Sequence, residues 1–371
     1  MKLKQLLKTL VETESPSSDK SAVDRVGAII TAECRKLGAD VEIIQNMETG
    51  DHILARFHPA KRSVNLHPSQ PLLILCHMDT VFPLGTLEKM PFYEKDGRIY
   101  GPGVSDMKSG IVIALDAIRS TLSTGKPVAH PITALFTSDE EIGSYTSRAL
   151  IESLARESAM VFVMESALVD GSVKTWRKGV GDFIVKVKGR AAHAGGDHEK
   201  GRNAIEEMAY QVLAIQKLTN YRTGTTLNVG RIRGGFATNV VPDECTVEVD
   251  MRVLQPGEAE RVESALKNLK PVLDGTSLEV TGELNRPPLP FNEINQAAFK
   301  KAYEIGKTIG LELKAGGSGG GSDGNFVAPL GIPVLDGLGG VGEGLHSERE
   351  YIFANSLEER AKLLATLIQN W

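Results

Sequence analysis

Four short apolar runs in the first half of the chain, HILARF, PLLILCH, PITALFT and MVFVMES, most constrain what it can fold into. Each is nearly continuous rather than alternating, as a strand buried on both faces must be. Helical stretches near 108–123 and 144–156 fall between them. Strands and helices in this rhythm predict a mostly parallel sheet flanked by helices, an α/β architecture. Ahead of the runs, Leu3, Leu6, Leu7 and Leu10 share one face of a short amphipathic helix. A second helix begins after Ser17 and Ser18, carries Val23, Val26, Ile29, Ile30 and Leu37, and stops at Gly38.

The middle of the chain has a different period. DFIVKVKG, TLNVGRIRGG and CTVEVDMRV alternate apolar with polar residues, the pattern of half-exposed antiparallel strands. With helical stretches at 203–217 and 257–269, this part reads as a smaller α/β sandwich inserted into the larger domain. It begins near Trp176 and ends at NRPPLP, where Pro287 and Pro288 mark a linker. The expected division is therefore 1–175 with 287–371 for the larger domain, and 176–286 for the insert. The tail returns to α/β character and closes on a helix from Ser356. The segment AGGSGGGSDGN has the composition of a linker. Too little chain follows it to form a domain, so a tight loop packed near the active site is the favoured reading. A phosphate cradle is weaker, because no Lys-Ser/Thr follows the glycines.

Bulk properties narrow the function classes. A length of 371 residues exceeds one ordinary core. The net charge of -5 argues against a nucleic-acid partner. No apolar run approaches the roughly 20 residues a membrane span needs. The start lacks the apolar stretch of a secretory signal. Cys34, Cys76 and Cys245 are odd in number and lack C-x-x-C spacing, so neither a disulfide frame nor a thiolate metal site is indicated. A reducing cytoplasm is the expected location.

The candidate chemistry sits at strand ends. His77 and Asp79 are two apart at the end of one strand, so they share a face. Asp79 can accept a hydrogen bond from the His77 nitrogen turned away from a metal; the alternative is a strand-end histidine satisfied by an aspartate. Asp106, in GPGVSDMKSG, is either a metal ligand or the N-cap of the following helix. Glu140 and Glu141 follow PITALFTSD, where one can bind metal and the other face water; the alternative is a solvated acidic turn. Glu165 ends a buried strand, where a carboxylate needs a partner unless it meets solvent. His346, in GVGEGLHSERE, is a ligand or a surface histidine. Together these residues lie at the ends of one predicted sheet, where open α/β sheets form their active sites. Two imidazoles and several carboxylates suit zinc, with cobalt or manganese as substitutes.

In this combination the sequence resembles the zinc metallopeptidases that include glutamate carboxypeptidase, acetylornithine deacetylase, succinyl-diaminopimelate desuccinylase and aminoacylase. The matching segments, in order, are CHMDTVFP, GPGVSDMKSG, TSDEEIGS, MES, GRAAHAG, ATNVVPDECTVEVDMR, GGGSDGN and HSERE. The resemblance implies two zinc ions bridged by Asp106 and a water, with His77 and Glu165 completing one site and Glu141 and His346 the other. It implies Glu140 as general base and then acid, Asp79 as the orienter of His77, and His193 as a donor to the reacting carbonyl, in its own or a partner's active site. Asn239, Arg252 and Ser322 match positions that hold substrate, Arg252 by a fork onto a carboxylate. The insert is implied to dimerise, giving a homodimer. Met107 stands where many relatives carry another acid or Asn. RKGVG and GRAAHAG place the chain nearest the glutamate carboxypeptidase branch. Lys174 reads as a solvated surface lysine, with contact to an acidic substrate as the alternative. The expected function is amide hydrolysis of a small peptide or N-acyl amino acid. The rivals are an acetylornithine-deacetylase-like deacylase, a non-catalytic ligand-binding relative and a metal-storage protein.

Overall fold

The computed structural model describes residues 3–58 and 70–371. The chain divides into two compact units. One comprises Met1–Trp176, Phe291–Ser318 and Ser322–Trp371; the other comprises Arg177–Pro290 with Gly319–Gly321.

The first unit is built on a six-stranded sheet. Its order is Asp40–Ile44, His52–Phe57, Ile132–Thr137, Leu72–His77, Met160–Val163, Val334–Leu335. The last four strands run parallel. Their residues are buried throughout, as the continuous apolar runs require. The sheet is mostly parallel, as the apolar runs predict, with an antiparallel pair at one edge. Asp40–Ile44 and His52–Phe57 pair antiparallel with each other, and the second of them also with Ile132–Thr137. Only residues 45–51 separate that first pair, enough for a hairpin but too few for a crossover helix. Asp40–Ile44 is largely exposed and lacks an apolar run, so no strand signal marks it.

Helix Lys20–Lys36 starts where Asp19 accepts the Ala22 amide and ends before Gly38 at φ +83°. Leu6, Leu7, Leu10 and Val11 of helix Leu3–Glu12 are buried in the same core as Phe57, Phe136 and Phe162. Helix Ser109–Ser123 packs along the C-terminal helix Ser356–Asn370.

The glycine segment is not simply a loop. Ala315–Ser318 forms a strand beside Val173–Arg177. A Cβ at Gly317 would lie 1.9 Å from the Trp176 indole, so only glycine fits beneath that ring.

The second unit holds a four-stranded antiparallel sheet in the order Thr226–Gly234, Glu244–Val253, Gly179–Lys188, Ser277–Arg286. Gly179–Lys188 alternates buried with exposed positions, and its Phe183, Val185 and Val187 join Met208, Ile215, Val262 and Leu266 in one core. Helices Ala204–Gln216 and Pro256–Lys267 supply the other half of that core. Ser277–Arg286 has no counterpart among the predicted strands; it is an edge strand with Gly282 at its centre and few buried residues.

Candidate active site

Parallel pairing aligns the strand ends that carry the acidic and imidazole groups. His77 pairs with Thr137, and Leu75 pairs with Val163. The chain therefore delivers His77, the Glu140–Glu141 turn and Glu165 to one edge of the sheet. Asp106 arrives on the turn before helix Ser109–Ser123. It caps nothing; its carboxylate lies between two imidazoles. His77 Nε2 is 3.1 Å from Asp106 Oδ1, and His346 Nε2 is 3.1 Å from Asp106 Oδ2. His77 Nε2 is also 3.4 Å from Glu165 Oε1. His346 Nε2 is 3.3 Å from Glu141 Oε2. His346 adopts φ +59°, a left-handed conformation that histidine tolerates better than most side chains.

Asp79 stands behind this group with a different emphasis from the one expected. His77 Nδ1 lies 3.0 Å from the Asp79 main-chain oxygen and 3.5 Å from its carboxylate. The carboxylate instead accepts the Ser17 hydroxyl at 2.7 Å and the Glu140 and Glu141 amides at 3.2 Å. It thereby ties the His77 strand to the acidic turn.

The electrostatics are those of a cluster short of positive charge. Burial opposes a charge on His77, yet Asp106, Asp79 and Glu165 hold its pKa well above the usual value. Asp106, then Glu141, push His346 up to about 11. Burial, then Asp106, raises Glu141 to about 7. Burial would raise Asp106 too, but His346 and His77 hold it well below the usual carboxylate range. Glu141 Oε1 is buried without a hydrogen-bond partner among the described residues. Donor atoms of His77, Asp106 and Glu141 lie within 4.8 Å of one another, as do those of His77, Glu140 and Glu165. Nitrogen and carboxylate donors at this spacing fit a metal ion.

The second unit brings two more of the predicted residues together. His193 pairs with Val240, next to Asn239, and the Asn239 carbonyl accepts the Ala194 amide. His193 Nδ1 accepts the Gly195 and Gly196 amides at 3.1 and 2.9 Å, which leaves the proton of the neutral ring on Nε2. Arg252 does not present an open fork. Its Nε is 2.9 Å from Asp250 Oδ1 and its Nη2 is 2.6 Å from Asp250 Oδ2, because residues two apart share a strand face.

Ser322 is fully buried, and its hydroxyl donates to Asp336 and accepts the Gly324 amide. Lys174 is no surface lysine. It is 5% exposed with Nζ 3.4 Å from Ser166 Oγ, because the neighbouring strand and the Asp336 segment cover it. Asp323 and Glu350 went unassigned in the sequence, although GGGSDGN and HSERE contain them. Asp323 accepts the hydroxyls of Thr137 and Ser144, which bracket the acidic turn.

The chain matches the family described as peptidase family M20/M25/M40 over residues 73–370. It is 29% identical to carboxypeptidase G2 of Pseudomonas sp. (strain RS-16) over 377 residues, 98% of this chain and 88% of that protein. It is 28% identical to succinyl-diaminopimelate desuccinylase of Azoarcus sp. (strain BH72) over 315 residues, 80% of this chain and 81% of the other. Among solved structures, a tripeptidase from Staphylococcus aureus superposes with a TM-score of 0.79 at 25% identity, covering 99% of this chain and 97% of its own. A metallo-carboxypeptidase from Sulfolobus solfataricus shares the fold, with a TM-score of 0.78 at 16% identity over 100% of this chain and 99% of its own. The chain therefore belongs to peptidase family M20/M25/M40, and it is a metal-dependent hydrolase of the carboxypeptidase type.

Proposed function

We propose that the protein is a dinuclear zinc hydrolase that cleaves the amide bond of a small peptide or N-acyl amino acid, in the manner of a glutamate carboxypeptidase. One observation carries the reading: each carboxylate oxygen of Asp106 lies 3.1 Å from a different imidazole. A carboxylate shared in this way suits a bridge between two cations. His77 and Glu165 would complete one site, Glu141 and His346 the other. When bound, the metal pair supplies Lewis-acid polarisation and lowers the pKa of water toward about 7.

The chain's own groups supply the rest. Glu140, whose amide is held by Asp79, takes a proton from the attacking water and returns it to the leaving amine. By the family resemblance His193 would donate through Nε2–H to the carbonyl oxygen, in its own or a partner's active site, a class of contact worth about 2.7–4 kcal/mol. The carboxypeptidase relative, similar over nearly the whole chain, supports a free carboxylate next to the scissile amide. The desuccinylase relatives support the second reading, removal of an acyl group from an amino acid. The second unit leaves Ile184, Tyr210, Leu213 and Ile232 exposed, which supports its role as the dimer surface.

The test is a screen of zinc-loaded protein against C-terminal glutamyl peptides and N-acyl amino acids, with Glu140→Gln beside it. The variant is expected to bind both metals while its kcat falls at least about 100-fold. Near-normal turnover removes Glu140 from the role of base. Turnover unaffected by chelation removes the metals.

A further inference from the structure

Glu350 is fully buried, yet its side chain meets no basic group among its hydrogen-bond partners. Its carboxylate is filled by backbone amides instead. Oε1 accepts Ser105 N at 2.7 Å and Asp106 N at 3.0 Å, and Oε2 accepts Gly103 N at 3.0 Å. Three amides of one turn converge on one carboxyl group, the arrangement of a backbone nest. The turn could not keep this shape unaided. Gly103 stands at φ +71°, and Asp106 and Met107 depart from helical angles. Without an acceptor, three buried N–H groups would go unpaired, which folded proteins avoid.

The position of Glu350 in the chain matters as much as its bonds. It lies four residues after His346, in the same segment. That segment thus grips Asp106 twice: His346 Nε2 meets its carboxylate, and Glu350 holds its main-chain nitrogen. The direction of the Asp106 carboxylate relative to His346 is therefore set by one short piece of chain. We propose that Glu350 is the positioning residue of the bridging aspartate, fixing the angle at which Asp106 presents its two oxygens to a metal pair. The proposal rests on the dinuclear reading above.

The test compares wild type with Glu350→Gln and Glu350→Asp, using zinc and cobalt alone as probes. Gln keeps one acceptor oxygen and turns the other into an NH2 donor; Asp keeps both oxygens and withdraws them by a methylene. Metal is titrated calorimetrically into metal-free protein, the visible bands of the cobalt form are recorded, and circular dichroism monitors the fold. Expected are an unchanged dichroism spectrum, a 10–100-fold loss of metal affinity, altered cobalt bands, and a fall in kcat larger than any change in KM. A residue serving the fold alone would shift unfolding and leave the cobalt bands in place, and that result overturns the proposal.

If neither variant folds, amide hydrogen exchange of the wild type decides. Protection of Gly103, Ser105 and Asp106 in the metal-free protein supports a preformed clamp; surface-like exchange there refutes it. Failure of the wild type to bind two metals would instead sink the dinuclear reading itself.

Discussion

Replacing Asp79 by Asn tests the internal logic of the site, because the two side chains have the same shape. The carboxylate accepts three hydrogen bonds, from Ser17 Oγ and Glu141 N on Oδ2 and from Glu140 N on Oδ1. An amide offers an oxygen on one side only. With that oxygen toward Ser17 and Glu141, its NH2 group meets the Glu140 N–H, donor against donor. The milder orientation thus loses one charge-assisted bond, worth about 1.5–3 kcal/mol. His77 keeps its shorter partner, the Asp79 carbonyl at 3.0 Å, so its tautomer survives. The expected loss of zinc affinity is accordingly at the lower end of the 10–100-fold range for such partners, about tenfold. Both tryptophans, Trp176 and Trp371, lie in the first unit, so their fluorescence during urea unfolding of metal-free protein reports that unit. The sign with pH is also fixed. Burial would raise the Asp79 pKa, but His77, Ser17 and the Glu141 amide hold it below its ordinary 3.8. Its stabilisation is then present above that value and disappears as pH falls through the lower folded-state pKa. The gap between wild type and Asp79→Asn must narrow in acid. Equal stabilities at neutral pH, or a gap that widens in acid, would refute the reasoning.

Metal binding should release protons near neutral pH, because His346 (pushed up to about 11) and Glu141 (about 7) must give up protons to become ligands. Affinity then rises with pH, and calorimetry in buffers of different ionisation enthalpy measures the release; zero net release contradicts it. His193→Ala should leave zinc stoichiometry intact and lower kcat about 10²–10³-fold, as loss of one oxyanion donor does; steady-state kinetics with zinc analysis check both. In the second unit, fully buried Glu207 accepts the Val272 and Leu273 amides, the Gln211 amide and the Thr276 hydroxyl. Glu207→Gln should destabilise that unit by about 1.5–3 kcal/mol, read as faster hydrogen exchange at Val272 and Leu273.

The sequence exposed the part of the site that follows from strand geometry. His77, the Glu140–Glu141 pair and Glu165 all end apolar runs, and parallel pairing of such runs must gather their ends on one edge. Asp106 and His346 were legible through the company they keep in their motifs rather than through periodicity. Glu350 and Asp323 were not. Each is an ordinary acid in a polar segment, and each acts on chain far away in sequence. Glu350 reaches amides 244 to 247 residues distant, and Asp323 reaches hydroxyls 179 and 186 distant. No local pattern encodes such a bond. The burial of Lys174 and the Asp250 pairing of Arg252 were hidden for the opposite reason. Long cationic side chains default to solvent or to an incoming ligand, and a covering segment or a neighbouring carboxylate reverses that default only in three dimensions.

Charge balance makes the strongest case for two cations over one. Among the described residues, Glu140, Asp106, Glu141 and Glu165 bring four carboxylates to a cluster with two imidazoles, His77 and His346, while the Asp79 carboxylate behind them is held by Ser17 and the two turn amides. Without metal, protons carry the load: both imidazoles are held charged, and Glu141 is raised toward neutrality. One divalent ion bound by neutral imidazoles would leave two carboxylates uncompensated in a largely buried place, at a cost of several kcal/mol per unpaired charge. Two divalent ions match four carboxylates with both imidazoles neutral and free to ligate. Zinc titration of the metal-free protein should therefore reach an end point of two per chain, and binding of the first ion should ease binding of the second by removing protons from the shared Asp106 neighbourhood. A clean end point of one ion, at full activity, would mean that the cluster keeps its protons during catalysis, and the shared-carboxylate geometry would then need another explanation.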